Sequence, residues 1–292
     1  MVDFFGGKWE NLIMKKHSKQ FNLSYKVKFD YKNNNQVEFW LAKAVNNKYQ
    51  KIIDFQTSQK AIRKYIDKQD NSILYFVLQD KKDFVADFSV KLSKDTKAIN
   101  KNWAIVKKPE NKKYLKSELF LEQTLAIKKL TKEITKEKKI LHDKVKVIFD
   151  FVADNFKYQY PVKNRGAKNL NLKNLRGDCG EYSALLVTML RIIGVPAKNQ
   201  TGFVIYPKEK KVLEHAWVSA YLGKAGWLDF DPQYAAIEKN KAKYFGQRSD
   251  YRIVFTSGSN IRLKPGVKST QVLQPIKCID SLKFRDKFTI NK

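Results

Sequence analysis

Over the first third of the chain, apolar side chains alternate with polar ones, the period of strands that bury one face. Phe21, Leu23, Tyr25, Val27 and Phe29 share one parity, and Val37, Phe39 and Leu41 repeat it after the turn-rich Lys32-Asn33-Asn34-Asn35. Ile73–Leu78 and Phe84–Leu92 read the same way, the latter with Phe84, Ala86, Phe88 and Val90 on one side. These runs predict a small β-rich, sandwich-like module.

The polar passage Lys107-Lys108-Pro109-Glu110-Asn111-Lys112-Lys113 marks a boundary, and from about Ser117 the period becomes helical. Ile127, Leu130 and Ile134 form one apolar stripe, and Val145, Ile148, Phe149, Val152 and Phe156 another. A polar segment without periodicity then runs from Tyr158 to Arg176, a length that in compact domains goes with function or mobility. Asp178 reads as a helix N-cap with Glu181 in capping-box position, and Gly194-Val195-Pro196 as the stop. Leu185, Leu186, Met189, Leu190 and Ile193 make this helix apolar over most of its circumference, which predicts a buried central helix. Strands are predicted at Lys198–Tyr206, His215–Leu222 and Trp227–Phe230, then at Tyr251–Thr256, Asn260–Leu263 and Val272–Cys278. Helices followed by antiparallel strands make the fold class α+β. The chain accordingly divides into an N-terminal β-rich domain, 1–110, and a core, 111–292, with a C-terminal strand extension.

Composition narrows the functional classes. A hydrophobic fraction of 43% supports a packed interior and argues against disorder. The net charge of +29 invites a nucleic-acid reading, but only eight of the 58 basic residues are arginine, and the lysines are spread along the whole length. Base reading and phosphate clamping favour the arginine fork, so no specific nucleic-acid binding is expected. A weak attraction to anionic surfaces follows from the charge alone. Cys179 and Cys278 are too few for a disulfide framework and, with three histidines, make no zinc set. No apolar run approaches a membrane span, and Met1–Lys16 lacks the apolar stretch of a signal peptide. The expected location is the cytoplasm, or outside it with a signal absent from this sequence.

The candidate chemistry lies in the second half. Cys179 opens the central helix, where unpaired N–H groups and the macrodipole favour an anion and so lower a thiol's pKa. His215 opens one strand and Asp231 closes the next, with Gly223-Lys224-Ala225-Gly226 as the turn between them. Antiparallel pairing brings ring and carboxylate together, so that the acid fixes one tautomer and steadies the imidazolium. Each residue also has a plain structural explanation: a buried thiol, a strand histidine, a turn aspartate. Asp229 shares strand parity with Asp231, so parity leaves both as partners for His215.

These residues resemble a family. Arg176-Gly177-Asp178-Cys179-Gly180-Glu181-Tyr182-Ser183-Ala184-Leu185-Leu186, with Leu190 through Ala197, is similar to the nucleophile helix of the transglutaminase-like superfamily. His215-Ala216-Trp217-Val218 resembles its histidine strand, and Gly226-Trp227 followed by Asp231-Pro232 its aspartate strand. Phe151–Tyr158, Tyr244–Gly258 and the β-rich N-terminal region resemble flanking parts of long bacterial members. The resemblance implies a papain-like core and the catalytic residues Cys179, His215 and Asp231, with Asp229 as the fallback. It further implies an oxyanion hole from the Cys179 N–H and one upstream donor, for which Tyr158, Tyr160, Asn164 and Asn169 are candidates. The expected activity is that of a thiol-dependent hydrolase, protease or amidase, acting on a peptide or protein substrate through an acyl-enzyme thioester. The alternatives are a protein-glutamine acyltransferase and a catalytically idle binding module for anionic polymers. No calcium-loop pattern occurs, so neither a metal nor another cofactor is expected. Loops 159–176 and 206–214 are expected to set substrate choice, the latter as a charged hairpin tip bordering the site, and Cys278 is expected to be a buried structural thiol.

Overall fold

Alternation in the N-terminal third builds six strands: β1 (Ser18–Phe29), β2 (Gln36–Lys43), β3 (Gln50–Thr57), β4 (Arg63–Ile66), β5 (Ser72–Gln79) and β6 (Phe84–Ser93). The computed structural model describes residues 18–31, 36–79, 82–94, 103–105, 108–266, 269–278 and 283–291; the Lys32–Asn35 turn, Lys107 and the Met1–Lys16 reading lie outside them. The expected runs all fall within β1, β2, β5 and β6. Strand β3 is an addition, because a register shift between Ile52 and Asp54 breaks its parity.

The core follows. Pro109–Leu115 forms a 3-10 helix; α1 (Leu125–Thr135) and α2 (Leu141–Asn155) carry the two apolar stripes. A short parallel pair, β7 (Lys157–Tyr158) and β8 (Arg176–Gly177), brackets the polar segment and leads into the central helix α3 (Cys179–Ile192). Then come β9 (Ala197–Tyr206), β10 (Lys211–Tyr221), β11 (Trp227–Phe230), α4 (Pro232–Ile237), α5 (Lys241–Tyr244) and β12 (Arg252–Ser257). The tail adds β13 (Ile261–Arg262), β14 (Ser269–Thr270), β15 (Ile276–Cys278) and β16 (Phe284–Asn291).

Strands β11-β10-β9-β12 form one antiparallel sheet. Helix α3 lies on it, with every residue from Gly180 to Arg191 buried as its apolar circumference requires. Leu185, Leu186, Val187, Met189 and Leu190 are fully enclosed, each worth about 1.5–3 kcal/mol of burial. The helix ends in a Schellman turn: Gly194 takes φ 84°, and the Val195 N–H donates to Leu190 O at 3.0 Å.

The other two four-stranded sheets, β16-β1-β6-β3 and β15-β2-β5-β4, form a sandwich. Tyr25, Val27, Phe39, Phe76 and Phe84 fill it, Phe39 stacking on Phe76 at 5.0 Å. Cys278 is buried in the same core, as expected of a structural thiol. A boundary at residue 110 groups 276–291 with the helical core, but the strand pairing differs: β15 bonds to β2 and β16 to β1, so the chain's end completes the sandwich. A third apolar cluster joins the two parts, bringing Phe203, Ile205, Ile253 and Phe255 of the core sheet against Phe21, Phe88 and Phe288. The architecture is thus an α+β core of helices on an antiparallel sheet, preceded by a β-sandwich.

Candidate active site

The Cys179 side starts at the cap of α3. Asp178 Oδ1 accepts the Gly180 N–H at 2.8 Å, and the Asp178 carbonyl accepts those of Glu181 and Tyr182. Among the described contacts no acceptor takes the Cys179 N–H, the first of the helix. The expected capping box does not form. The Glu181 carboxylate turns instead to Arg165, whose Nη1 donates to it at 2.8 Å while the same guanidinium forks onto Asp178 at 3.0 and 2.6 Å. A guanidinium between two buried carboxylates satisfies more acceptors than a return to one backbone N–H. Burial alone would raise Asp178, but the Arg165 hydrogen bonds outweigh it and hold that carboxyl below its ordinary value. Burial, then a hydrogen bond shared with Asp178 and the Asp178 charge, push Glu181 up to about 8.

Cys179 keeps part of its surface accessible. Its thiol is nevertheless pushed up to about 12, first by desolvation and then by the Asp178 charge, with the Ala216 backbone N–H opposing. The expectation of a lowered thiol is therefore corrected: the helix start favours an anion, but its cap already is one.

The His215 side lies on β10. His215 pairs with Gly202 of β9, where a Cβ would sit 1.8 Å from the Ile253 carbonyl oxygen, so only glycine fits there. The His215 Nε2–H donates to Asp231 Oδ2 at 2.7 Å, the tautomer being assigned from this contact. Asp231 caps α4, its Oδ1 accepting the Tyr234 N–H at 3.0 Å, and its Oδ2 also accepts from Arg252 Nη2. Burial alone would raise this fully enclosed carboxyl; His215 and Arg252 outweigh it and hold Asp231 below the ordinary carboxylate value. Asp229 instead pairs with Arg248 at 3.2 Å. His215 and Asp231 are thus brought together, and Cys179 stands beside Ala216, the residue after His215.

Three neighbours escaped the sequence: Arg165, Arg252 and Tyr234, whose ring meets His215 edge-on at 4.5 Å. Trp217 lies nearly parallel to the imidazole at 6.0 Å. Of the oxyanion candidates, Asn169 spends its amide on Arg165 O at 2.9 Å. Tyr158 is the one whose hydroxyl responds to Cys179: desolvation raises it first, then the Cys179 and Asp178 charges. A cavity of about 610 Å³ adjoins the site through Tyr234 and Arg252, and the turn Pro207-Lys208-Glu209 of the β9–β10 hairpin lines it. Among the described residues no group of three or more His, Cys, Asp or Glu side chains is placed to hold a metal, and no helix is long and apolar enough to cross a membrane.

Residues 128–232 match the profile of the transglutaminase-like superfamily. The chain is 28% identical over 129 residues to the uncharacterized protein YebA of Bacillus subtilis, and 32% identical over 68 residues to the uncharacterized protein ML0607 of Mycobacterium leprae. These matches cover 38% and 21% of this chain, and it spans only 17% and 23% of those relatives' own lengths. Among solved structures, a candidate cysteine protease from Cytophaga hutchinsonii aligns over 95% of this chain and 92% of its own, with a TM-score of 0.66 at 13% identity. That likeness is one of fold.

Proposed function

With residues 128–232 matching the profile of the transglutaminase-like superfamily, we propose that the protein is a thiol-dependent hydrolase, a protease or amidase, that opens peptide or other amide bonds through Cys179, His215 and Asp231. The observation that carries the proposal is the buried 2.7 Å bond from His215 Nε2 to Asp231 Oδ2. It commits one ring nitrogen to the carboxylate and leaves Nδ1 as a base, on a strand whose next residue offers its N–H to the Cys179 sulfur.

A thiol pushed up to about 12 is not charged on its own at neutral pH, so the nucleophile depends on its base. His215 Nδ1 takes the thiol proton, and Asp231 steadies the imidazolium that results. The thiolate attacks the carbonyl carbon, and the carbonyl electron pair moves onto oxygen. The Cys179 N–H supplies one donor to that oxyanion, and the second is to come from the upstream segment, where Tyr158 is the candidate whose charge interaction reaches Cys179. Collapse breaks the C–N bond as Nδ1–H gives its proton to the departing amine, leaving a thioester. Water, deprotonated by the same nitrogen, releases the acid and restores the thiol. Following the strand pairing, we place the functional division with residues 18–93 and 276–291 as the supporting sandwich and 111–263 as the catalytic core.

The test is incubation with a mixed peptide pool and a primary amine donor, with products read by mass spectrometry. Cleaved peptides are expected, and Cys179→Ala should abolish them. Products joined to the amine would make the protein an acyltransferase. Cleavage undiminished in Cys179→Ala would reject the assignment, and no product of either kind would favour a binding module.

A further inference from the structure

The core sheet ends at β12, which pairs with β9 on one side only. An unpaired strand edge is costly to bury and prone to aberrant pairing. Here the sandwich covers it: the Val45 backbone N–H donates to Val254 O at 3.1 Å, and primary amide side chains take the remaining groups. Gln50, 3% exposed, grips Val254 with both ends of its amide: Nε2 donates to Val254 O at 2.8 Å, and Oε1 accepts the Val254 N–H at 2.8 Å. Further along, Asn71 grips Ser257 in the same two-handed way, at 2.9 and 2.7 Å, and Gln69 donates to Ser259 O. Together they stand in for a missing strand.

The position of the Gln50 grip matters more than its existence. Val254 is in register with Gly202 of β9, and Gly202 is in register with His215 of β10. Gln50, Val254, Gly202 and His215 therefore form one row across the sheet. A second amide closes the row: Gln274 Nε2, from the tail leading into β15, donates to Gly202 O at 2.7 Å and to His215 O at 2.6 Å. Two residues before Val254 on the same strand, Arg252 reaches Asp231, and the Trp217, Tyr234 and Tyr244 rings surround it at 5.4 to 5.8 Å.

We infer that the sandwich is part of the reacting apparatus: Gln50 and Gln274, contributed by the two ends of the chain, are positioning residues that fix the backbone row carrying His215. Asn71 and Gln69 cap the same edge beyond that row. The inference rests on the assignment of Cys179 and His215 as nucleophile and base. A reacting pair gains its advantage from geometry held to fractions of an ångström, and amide grips on the His215 row supply that constraint from outside the catalytic core.

The test uses the full chain and the rate at which iodoacetamide alkylates Cys179, followed by mass spectrometry from about pH 5 to about pH 9, a range that spans imidazole titration. Gln50→Met and Gln274→Met keep side-chain length and remove the amide; Asn71→Leu removes the neighbouring grip outside the row. Gln50→Met and Gln274→Met should each slow neutral-pH alkylation about tenfold and displace the acid limb of the profile. Asn71→Leu should lower the melting temperature and leave the profile in place. Folded Gln50→Met and Gln274→Met proteins with the wild-type profile would overturn the inference while leaving the nucleophile assignment intact. If Gln50→Met does not fold, the shortened amide of Gln50→Asn and the Gln274→Met variant carry the same comparison. A wild-type profile with no limb that His215→Ala removes would instead overturn the assignment beneath it.

Discussion

Two buried carboxylates flank the site, each held by an arginine; both push the Cys179 thiol up, Asp178 more than Asp231, but they differ in what else they face. Asp178 stands at the start of the nucleophile helix, and its charge helps push the Cys179 thiol up. Its partner Arg165 comes from the polar segment just upstream and keeps 29% of its side chain exposed. Asp231 stands behind His215, the proposed base, where its charge offsets the imidazolium that the proposed thiolate formation requires. Its partner Arg252 comes from the far edge of the sheet and is buried. The same kind of ionic pair therefore builds the helix start on one side and, in the proposed reaction, supports proton transfer on the other. Which it does depends on whether the carboxylate faces the atom that gains negative charge or the ring that gains positive charge.

The harshest break of this contrast is Asp231→Asn. The amide can present its NH₂ to Nε2, which selects the wrong tautomer, and it leaves the Arg252 guanidinium buried without a counter-charge. Amide hydrolysis should fall roughly 10³- to 10⁴-fold, by analogy with the loss of an orienting acid in other triads. Asp229→Asn, which disturbs the Arg248 pair and the charge facing buried Lys198, is the control and should stay within about threefold per folded molecule, as expected of a change outside the reacting geometry. Equal losses in the two variants, measured as kcat/KM on a cleaved peptide, would reopen the choice between the two acids.

Arg165→Met breaks the other pair and should act on stability first. It strands the Asp178 carboxylate without its cation and takes a donor from Glu181, at a cost of about 3 kcal/mol at neutral pH, read from urea unfolding. The loss should shrink as acid protonates Asp178, Glu181 being largely protonated already. The rate per folded molecule should fall less than tenfold, since no reacting atom loses a partner. A rate loss as large as that of Asp231→Asn would erase the distinction between the two sides.

How far this arrangement is legible in the sequence follows from the range of each interaction. Cys179, His215 and Asp231 stand out because each occupies the end of an element where its chemistry is useful, and motif spacing separates Asp231 from Asp229. The two arginines do not stand out. Arg165 sits in a stretch without periodicity, and Arg252 opens a strand 21 residues beyond Asp231, so only the tertiary fold decides which acid each meets. The Glu181 capping box is a local pattern overridden by a stronger, non-local donor. Strand β16 alternates Phe284, Phe288 and Ile290 with polar residues, but its partner β1 begins the described chain, and no local signal announces that pairing. Gln50, Asn71 and Gln69 read as ordinary polar residues near strand ends; their task exists only because β12 has an open edge.

The gentlest break is Glu181→Gln, which separates the two acids that share Arg165. Burial and Asp178 raise Glu181 to about 8, from an ordinary 4.5. Between those values the unfolded chain has lost this proton while the folded chain keeps it, so the unfolded state binds fewer protons and stability falls as pH rises. The companion Asp178 is shifted the other way, and its contribution is lost only as pH falls below its ordinary 3.8, outside that window. Glutamine keeps the shape and one acceptor for Arg165 but cannot titrate. Chemical unfolding of the variant should therefore lack a decline that in the wild type approaches about 1 kcal/mol per pH unit at its steepest, the two curves converging toward acid and separating toward pH 8 with the variant more stable. Parallel curves across the window would put the proton elsewhere, and with it the account of why the helix start holds Cys179 as a thiol until His215 takes its proton.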